Sequence, residues 1–221
     1  MINRRDFLKL AAGTTFFSFG HPKFISRDKI VKQDVILSFD GGTRDYAKME
    51  KTFELSDELS LMTGKNSHFT FFLTSSLLFS RLKGKSNIGF GGTKKDIESR
   101  LKITQKAIGF GHEIGNHSVR HLHGSDWSYQ QWIDELSEFD EQVAGFFADK
   151  NGRPYKAVGF RAPYLEWNEY MFNALSSLKY SYDVSVVGDE VRKRGEIFLL
   201  KFLYGREIME ERFFPWITIG K

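Results

Sequence analysis

The chain has 221 residues, the length of one domain with a single hydrophobic core. It is 41% hydrophobic and 15% aromatic, with 22 Phe and only 4 Pro, a composition that excludes a disordered or collagen-like chain. The net charge is +4 and there is no cysteine. The charge therefore gives no reason to expect a nucleic-acid partner, and any metal must be held by histidine and carboxylate side chains.

The first twenty residues have the form of an export signal. Asn3–Lys9 carries the pair Arg4 and Arg5 and precedes an apolar, uncharged run at 10–20, as in twin-arginine signals. That run is shorter than the ~20 residues that a membrane-spanning helix needs. We expect a signal at 1–20, a linker at 21–33 and a catalytic domain at 34–221. The expected partner is the twin-arginine export machinery, and the expected location is the periplasm or cell envelope, with no stable membrane span. An ordinary amphipathic N-terminal helix is the alternative.

From Asp34 onward, short β-rich segments alternate with longer helical ones, which predicts βα units around a mainly parallel sheet. In chain order, the first predicted elements are a strand at 34–39, a helix at 48–59, a strand at 68–73 and a helix at 96–107 with Asp96 as N-cap. They are followed by a helix opened by the capping box of Ser128, a strand at 157–160, a helix at 168–178 and a strand at 180–182. The irregular segment 81–95 is predicted to be a surface loop over the barrel mouth, because it lacks the Gly-Lys-Ser/Thr ending of a phosphate loop.

The helix that begins after Ser128 is predicted to face the core. Five large apolar side chains fall on one face of it: Trp132, Leu136, Phe139, Val143 and Phe146.

Polar residues gather where the predicted strands end. Asp40, the pair His117 and His121, Arg161 and Asp183 each lie at or after such an end. Because the loops after parallel strands lie at one face of an α/β barrel, we expect these four segments to converge on an active site.

His117 and His121 are four residues apart. If the loop after residue 116 is helical, both imidazoles lie on one face about one turn apart, which suits a single metal ion. Two surface or capping histidines are the alternative. His112 and His123 are interpreted as structural or supporting groups.

Asp40 ends an apolar strand, and the two glycines after it leave its carboxylate uncrowded. The alternative is an aspartate that opens a turn. Arg161 stands between a buried strand and the segment 162–164, a position that fits an arginine directed inward at a carboxylate. A surface charge is the alternative there.

Three segments resemble, in order and spacing, the first three motifs of the polysaccharide deacetylases, carbohydrate esterase family four. They are Ser38–Gly42 (SFDGG), Gly111–His121 (GHEIGNHSVRH) and Phe160–Tyr164 (FRAPY). His68–Leu73 is similar to the second strand of that family, and Tyr182–Ser185 to part of its fourth motif. The resemblance covers roughly residues 33–190.

The resemblance implies an α/β fold, a distorted (β/α)7-type barrel, and metal-assisted hydrolysis of N-acetyl groups from an amino-sugar polysaccharide such as peptidoglycan or a chitin-like polymer. It also implies that His117 and His121 hold a divalent ion, with Zn²⁺ expected first and Co²⁺, Ni²⁺ or Mn²⁺ as alternatives. Such an ion polarises the acetamide carbonyl and acidifies a bound water molecule.

The resemblance further assigns catalytic roles. Asp40 takes the proton of the water molecule as general base, and Arg161 orients Asp40 and keeps it ionised. The backbone N–H of Tyr164 helps to stabilise the oxyanion. Asp45 and Asp183 are accessory candidates.

Two positions depart from the family pattern. The second aspartate of the first motif, a metal ligand, is Gly41 here. Either Asp40 is then the ligand and the base is lost, or two histidines hold the ion with water and Asp45. No histidine follows His123, whereas the last motif of the family supplies one to protonate the leaving amine, worth ~10²–10⁴ in rate. The sequence thus also allows a degenerate homologue that binds glycan with impaired catalysis, in a barrel incomplete or truncated at its C-terminus.

Overall fold

A computed structural model describes residues 36–40 and 46–186 of the chain. Five short strands form one sheet: β1 (Ser38–Asp40), β2 (Thr70–Leu73), β3 (Glu113–Asn116), β4 (Gly159–Phe160) and β5 (Tyr182–Asp183). Every neighbouring pair is parallel, and the strands lie side by side in chain order. This is the strand order of a (β/α) barrel, so the predicted α/β architecture is confirmed as a parallel half-barrel.

Helices connect the strands. In the described residues they are α1 (Tyr46–Thr63), α2 (Lys94–Gly109), α3 (Tyr129–Phe146) and α4 (Glu169–Ser177), with short 3₁₀ turns at Ser75–Leu78 and Pro163–Leu165. None of these helices is long and apolar enough to cross a membrane. The predicted signal, the linker, Asp45 and the tail after residue 186 lie outside the described residues.

Side-chain caps define three of the helix starts. The predicted capping box of Ser128 with Gln131 opens α3, and Asn168 caps α4 by accepting from the Met171 N–H. The N-cap of α2 is Thr93 and not Asp96 as predicted, because Asp96 is the third helical residue and completes a capping box with Thr93.

The remaining boundaries differ by a few residues from those predicted. Strands β2, β4 and β5 are shorter than the predicted segments, and β1 ends at Asp40, one residue beyond the predicted 34–39. Strand β3 is the strand expected to end before His117, for which the sequence predicted no bounds. Phe146, predicted to face the core, is 42% exposed.

The core lies between the sheet and the helices. All four residues of β2 are buried, as expected for a parallel strand that is covered on both faces. Phe71 of β2, Ile114 of β3 and Phe160 of β4 belong to one buried cluster with Trp132 of α3 and Met171 of α4. This packing fixes the strands and therefore fixes the positions of the side chains at their carboxyl ends.

Candidate active site

The carboxyl ends of three strands supply the first site residues. Asp40 is the last residue of β1, His117 follows β3 and Arg161 follows β4. Backbone hydrogen bonds continue past the strand ends, from the Arg161 N–H to the Asn116 carbonyl (3.0 Å) and from the His117 N–H to the Leu73 carbonyl (2.9 Å). The sheet therefore brings these three segments to one edge.

The guanidinium of Arg161 holds the carboxylate of Asp40. Its Nη1 donates to Asp40 Oδ1 over 2.6 Å, its Nη2 donates to Ser38 Oγ over 2.8 Å, and its Cζ lies 4.4 Å from the ring centroid of Phe72. The Arg161 side chain is 17% exposed and that of Asp40 45%. The arginine is thus fixed on three sides, while the carboxylate that it orients is open to water.

The backbone of Arg161 orients His117. The Nδ1–H of His117 donates to the Arg161 carbonyl over 2.7 Å, and the residue is buried. Because a carbonyl only accepts, this bond places the proton on Nδ1 and leaves the lone pair on Nε2. Burial lowers the pKa of His117, an effect partly offset by this hydrogen bond and by the charge of Asp40. The imidazole is therefore neutral at pH 7, as a metal ligand must be.

The ring of His121 packs edge-on against that of His117, with centroids 4.9 Å apart. Its Nδ1 is buried and has no hydrogen-bond partner among the described residues. Burial lowers the pKa of His121, and the residue's own backbone and then the charge of Asp40 partly oppose this effect. A buried, neutral nitrogen without a partner is available to a cation.

The loop that carries these rings is not helical, so the condition of the helical spacing argument is not met, although the two rings do lie together. Ser118 has φ 68° and His121 has φ 54°, both in the left-handed region that non-glycine residues seldom adopt. The Asn116 side chain accepts from the Ser118 N–H (2.7 Å), and the Ser118 hydroxyl accepts from the His121 N–H (2.9 Å). The loop brings the two imidazoles together through a tight turn that its own side chains stabilise.

The side-chain hydrogen bonds of Asp183 are with Ser185 and not with either imidazole. Asp183 is buried and accepts from the Ser185 hydroxyl (2.5 Å) and the Ser185 N–H (3.0 Å). The Ser185 hydroxyl accepts in turn from the Ala162 N–H over 2.7 Å. Burial raises the pKa of Asp183 to about 6, despite the hydrogen bonds from Ser185 and the charge of Arg161. Asp183 thus holds the Ser185 hydroxyl, which in turn holds the backbone of Ala162, the residue after Arg161. The sequence did not single out Ser185 as a supporting residue.

Tyr164 lies at the rim of the site. Its φ is 58°, and its N–H has no backbone acceptor among the described residues. Its half-exposed ring stacks on His123 with centroids 4.0 Å apart and meets the ring of His121 at 4.8 Å. His123 Nδ1 lies 2.8 Å from Glu166 Oε1. The interpretation of His123 as a structural or supporting group stays a prediction, and its contacts with Tyr164 and Glu166 were not predicted.

The described residues supply a donor pair for a metal ion and not a full ligand set. No cluster of three or more His, Asp or Glu side chains that could hold an ion occurs within 36–40 and 46–186. Neutral imidazole nitrogens suit Zn²⁺, Co²⁺ and Ni²⁺. The unpartnered Nδ1 of His121 and the lone pair on Nε2 of His117 fit such an ion in chemistry.

Comparison with known proteins adds the following. A family model described as "Polysaccharide deacetylase" matches residues 27–182. Comparison with curated proteins gave no match.

Among solved structures, the Xyl-CE4 domain of a multidomain xylanase from the hindgut metagenome of Trinervitermes trinervoides is 20% identical, with a TM-score of 0.40, covering 64% of this chain and 53% of that one. A family 4 acetyl xylan esterase from Clostridium thermocellum, in complex with a cobalt ion, is 18% identical, with a TM-score of 0.44 and coverage of 64% and 54%. A wild-type CE4 family pseudoenzyme from Bacillus anthracis is 15% identical, with a TM-score of 0.47 and coverage of 76% and 49%. The chain spans about half the length of these proteins.

Proposed function

The chain belongs to the polysaccharide deacetylase family, and we propose that it hydrolyses N-acetyl groups of an amino-sugar polysaccharide, peptidoglycan or a chitin-like polymer, with a divalent metal ion. One observation carries the proposal. A single residue, Arg161, fixes the carboxylate of Asp40 with its guanidinium (2.6 Å) and the imidazole of His117 with its carbonyl (2.7 Å). A base and a metal-ligating nitrogen that share one anchor keep a constant relative position, which metal-assisted hydrolysis requires.

His117 and His121 would hold the ion, with Zn²⁺ expected first and Co²⁺, Ni²⁺ or Mn²⁺ as alternatives. When bound, such an ion polarises a carbonyl oxygen and acidifies a water molecule. The chain itself contributes the lone pair on His117 Nε2, since Nδ1 is engaged by Arg161, and the buried, unpartnered Nδ1 of His121.

Asp40 acts as the general base. Its carboxylate is reachable, with a side chain 45% exposed, and Arg161 holds Oδ1 so that the other oxygen can accept a proton from water. The oxygen of that water bonds to the acetyl carbon, the carbon–nitrogen bond breaks as the nitrogen takes the proton held by Asp40, and acetate and the amine are released. The N–H of Tyr164 donates to the carbonyl oxygen as negative charge develops on it.

A second candidate is glycan binding without turnover. It is favoured by the absence of a three-ligand cluster in the described part of the chain and by Gly41 at the position of the second aspartate. The exposed ring stack of Tyr164 and His123 offers an apolar surface of the kind on which sugar rings pack.

Acetate release separates these functions. The full-length chain is loaded with Zn²⁺ or Co²⁺ and given N-acetylated chitooligosaccharides or peptidoglycan, with Asp40→Asn as the test variant and Asp134→Asn, at an exposed position of α3, as the control. If Asp40 is the base, Asp40→Asn lowers turnover ~10²–10⁴-fold while Co²⁺ affinity changes little. A parallel loss of Co²⁺ affinity would make Asp40 a ligand. Glycan binding by the wild type without acetate release would support the second candidate.

We also propose export by the twin-arginine machinery to the periplasm or cell envelope, on the basis of Arg4 and Arg5 before the apolar run. Replacing both arginines by lysine should leave the chain in the cytoplasm of a bacterial host, as judged by cell fractionation. Equal export of the variant and the wild type would contradict the proposal.

A further inference from the structure

The carboxylate of Glu135, on α3, lies beneath the loop that carries the two histidines. Its side chain is 6% exposed. Oε1 accepts from the backbone N–H of Val119 (2.9 Å) and of Arg120 (2.7 Å), and Oε2 accepts from Arg120 Nη1 (2.7 Å). One buried carboxylate therefore receives three hydrogen bonds from the segment between His117 and His121.

The backbone of that segment needs an external acceptor. It is not helical, and residues at both ends of the turn, Ser118 and His121, have positive φ. Val119 is fully buried, so that water does not reach its N–H. Without Glu135, the backbone N–H groups of Val119 and Arg120 would lose their acceptor. The strained turn at 118–121 would also lose the hydrogen bonds that offset its strain.

Arg120 extends the same anchor outward. Its Nη2 donates to Glu138 Oε2 (2.6 Å), and its guanidinium also donates to the Lys83 carbonyl (3.2 Å). Glu138 thus contacts the guanidinium but not the loop backbone. Glu135 and Glu138 lie on one helix and both contact Arg120, but only Glu135 accepts from the backbone N–H groups of the loop.

We infer that Glu135 is a positioning residue of the metal site, which sets the separation of the His117 and His121 imidazoles by holding the amides of Val119 and Arg120. The inference rests on the proposed function, because it requires the two imidazoles to hold an ion. Supporting groups of this kind typically change metal affinity ~10–100-fold when they are replaced.

Glutamine is the informative replacement. It has nearly the shape of glutamate, but it offers one acceptor oxygen and an NH₂ group to a site lined by three donors, so that one N–H is opposed by another donor. Glu138→Gln is the matched control, because it removes one charge beside Arg120 and leaves the loop amides paired. Glu135→Asp is a second variant that keeps the charge and withdraws the carboxylate by one methylene.

Co²⁺ titration of the full-length chain, followed by visible absorption, measures the affinity directly. Glu135→Gln should weaken Co²⁺ binding ~10–100-fold and Glu135→Asp should also weaken it, whereas Glu138→Gln stays within ~3-fold of the wild type. Acetate release by Glu135→Gln should recover at saturating Co²⁺, a rescue that a merely misfolded variant would not show. Backbone amide exchange of Val119 and Arg120 in the metal-free chain should be faster in Glu135→Gln.

Equal Co²⁺ affinity in the wild type and in either Glu135 variant would overturn the inference and leave the proposed function intact. Absence of Co²⁺ binding by the wild type would instead overturn the proposed function, and the inference with it.

Discussion

The replacement Asp140→Asn should make the stability of the protein less sensitive to pH. The Asp140 carboxylate, on α3, accepts from the Tyr180 hydroxyl (2.7 Å), which accepts from the Asn116 amide (2.6 Å). Asn116 immediately precedes His117 and also caps the Ser118 N–H. The carboxylate therefore supports the loop at 117–121 through Tyr180 and Asn116. Burial raises its pKa to about 6, although the Tyr180 hydrogen bond and the charge of Lys156 oppose the rise.

The raised pKa of Asp140 makes the free energy of unfolding fall as the pH rises. The unfolded chain loses the proton near the ordinary value of 3.8, but the folded protein keeps it up to about pH 6. The stabilisation is therefore fully present below about pH 4 and is lost as the pH rises through about 6. At 1.36 kcal/mol per pH unit the whole loss is about 3 kcal/mol, of which about half falls between pH 5 and pH 8. For a protein of this size, that half corresponds to a change of about 3–6 °C in Tm.

Thermal unfolding followed by circular dichroism at pH 5 and pH 8 measures the effect. Asparagine does not ionise, and it keeps an oxygen for the Tyr180 hydroxyl. The Tm of Asp140→Asn minus that of the wild type should therefore rise by about 3–6 °C from pH 5 to pH 8. Asp183 and the buried histidines also titrate, but their contributions are common to both proteins and cancel in the difference. Asp134→Asn, at an exposed position of the same helix, controls for net charge. A difference that stays constant between the two pH values would refute the reasoning.

Three further replacements test the site and its supports. Arg161→Lys keeps the charge but loses the planar guanidinium that holds Asp40, so acetate release should fall ~10-fold or more with little change in Tm. An unaltered kcat would show that Arg161 does not position Asp40. Gly115→Ala should lower the free energy of unfolding by ~1–3 kcal/mol in urea titrations, because its Cβ would lie 2.6 Å from the Phe72 ring; wild-type stability would show that the ring moves aside. Asn168→Ala removes the cap of α4 and the donor to three carbonyls of the loop before α3. The free energy of unfolding should therefore fall by ~2 kcal/mol, and a fall of less than ~0.5 kcal/mol would contradict this account.

The sequence predicted the alternating strands and helices because the patterns that indicate them, such as helix caps, lie within a few neighbouring residues. The box of Ser128 and Gln131 is visible in the sequence, and it opens α3 as predicted. The start of α2 was misplaced for an equally local reason: Asp96 is a good cap, but Thr93 three residues earlier uses Asp96 as its box partner. The strand ends could not be read locally, since a strand begins where a neighbour pairs with it and not where the chain becomes extended.

The convergence of Asp40, His117 and Arg161 was predictable from the sequence, whereas the conformation of the loop at 117–121 was not. Strand ends and motifs indicated His117 and His121, but the turn that joins the rings depends on positive φ at Ser118 and His121, which few non-glycine residues adopt. Tertiary contacts impose that turn. Their signal in the sequence was Glu135, a charged residue three positions after Trp132, on the apolar face of α3 that was predicted to be core.

The charge balance around His117 and His121 makes the geometry of their loop decisive for the proposed metal affinity. Asp40 and Arg161 neutralise one another at 2.6 Å, and burial lowers the pKa of both His117 and His121 so that they are neutral. These four groups therefore carry no net negative charge to attract a dication. A site with additional carboxylates could tolerate imprecise imidazoles, because Coulomb attraction would contribute to affinity whatever the orientation of the rings. In the proposed metal site the affinity would come from the directed lone pairs, so a turn that places the two rings correctly would contribute more than it would in an acidic site.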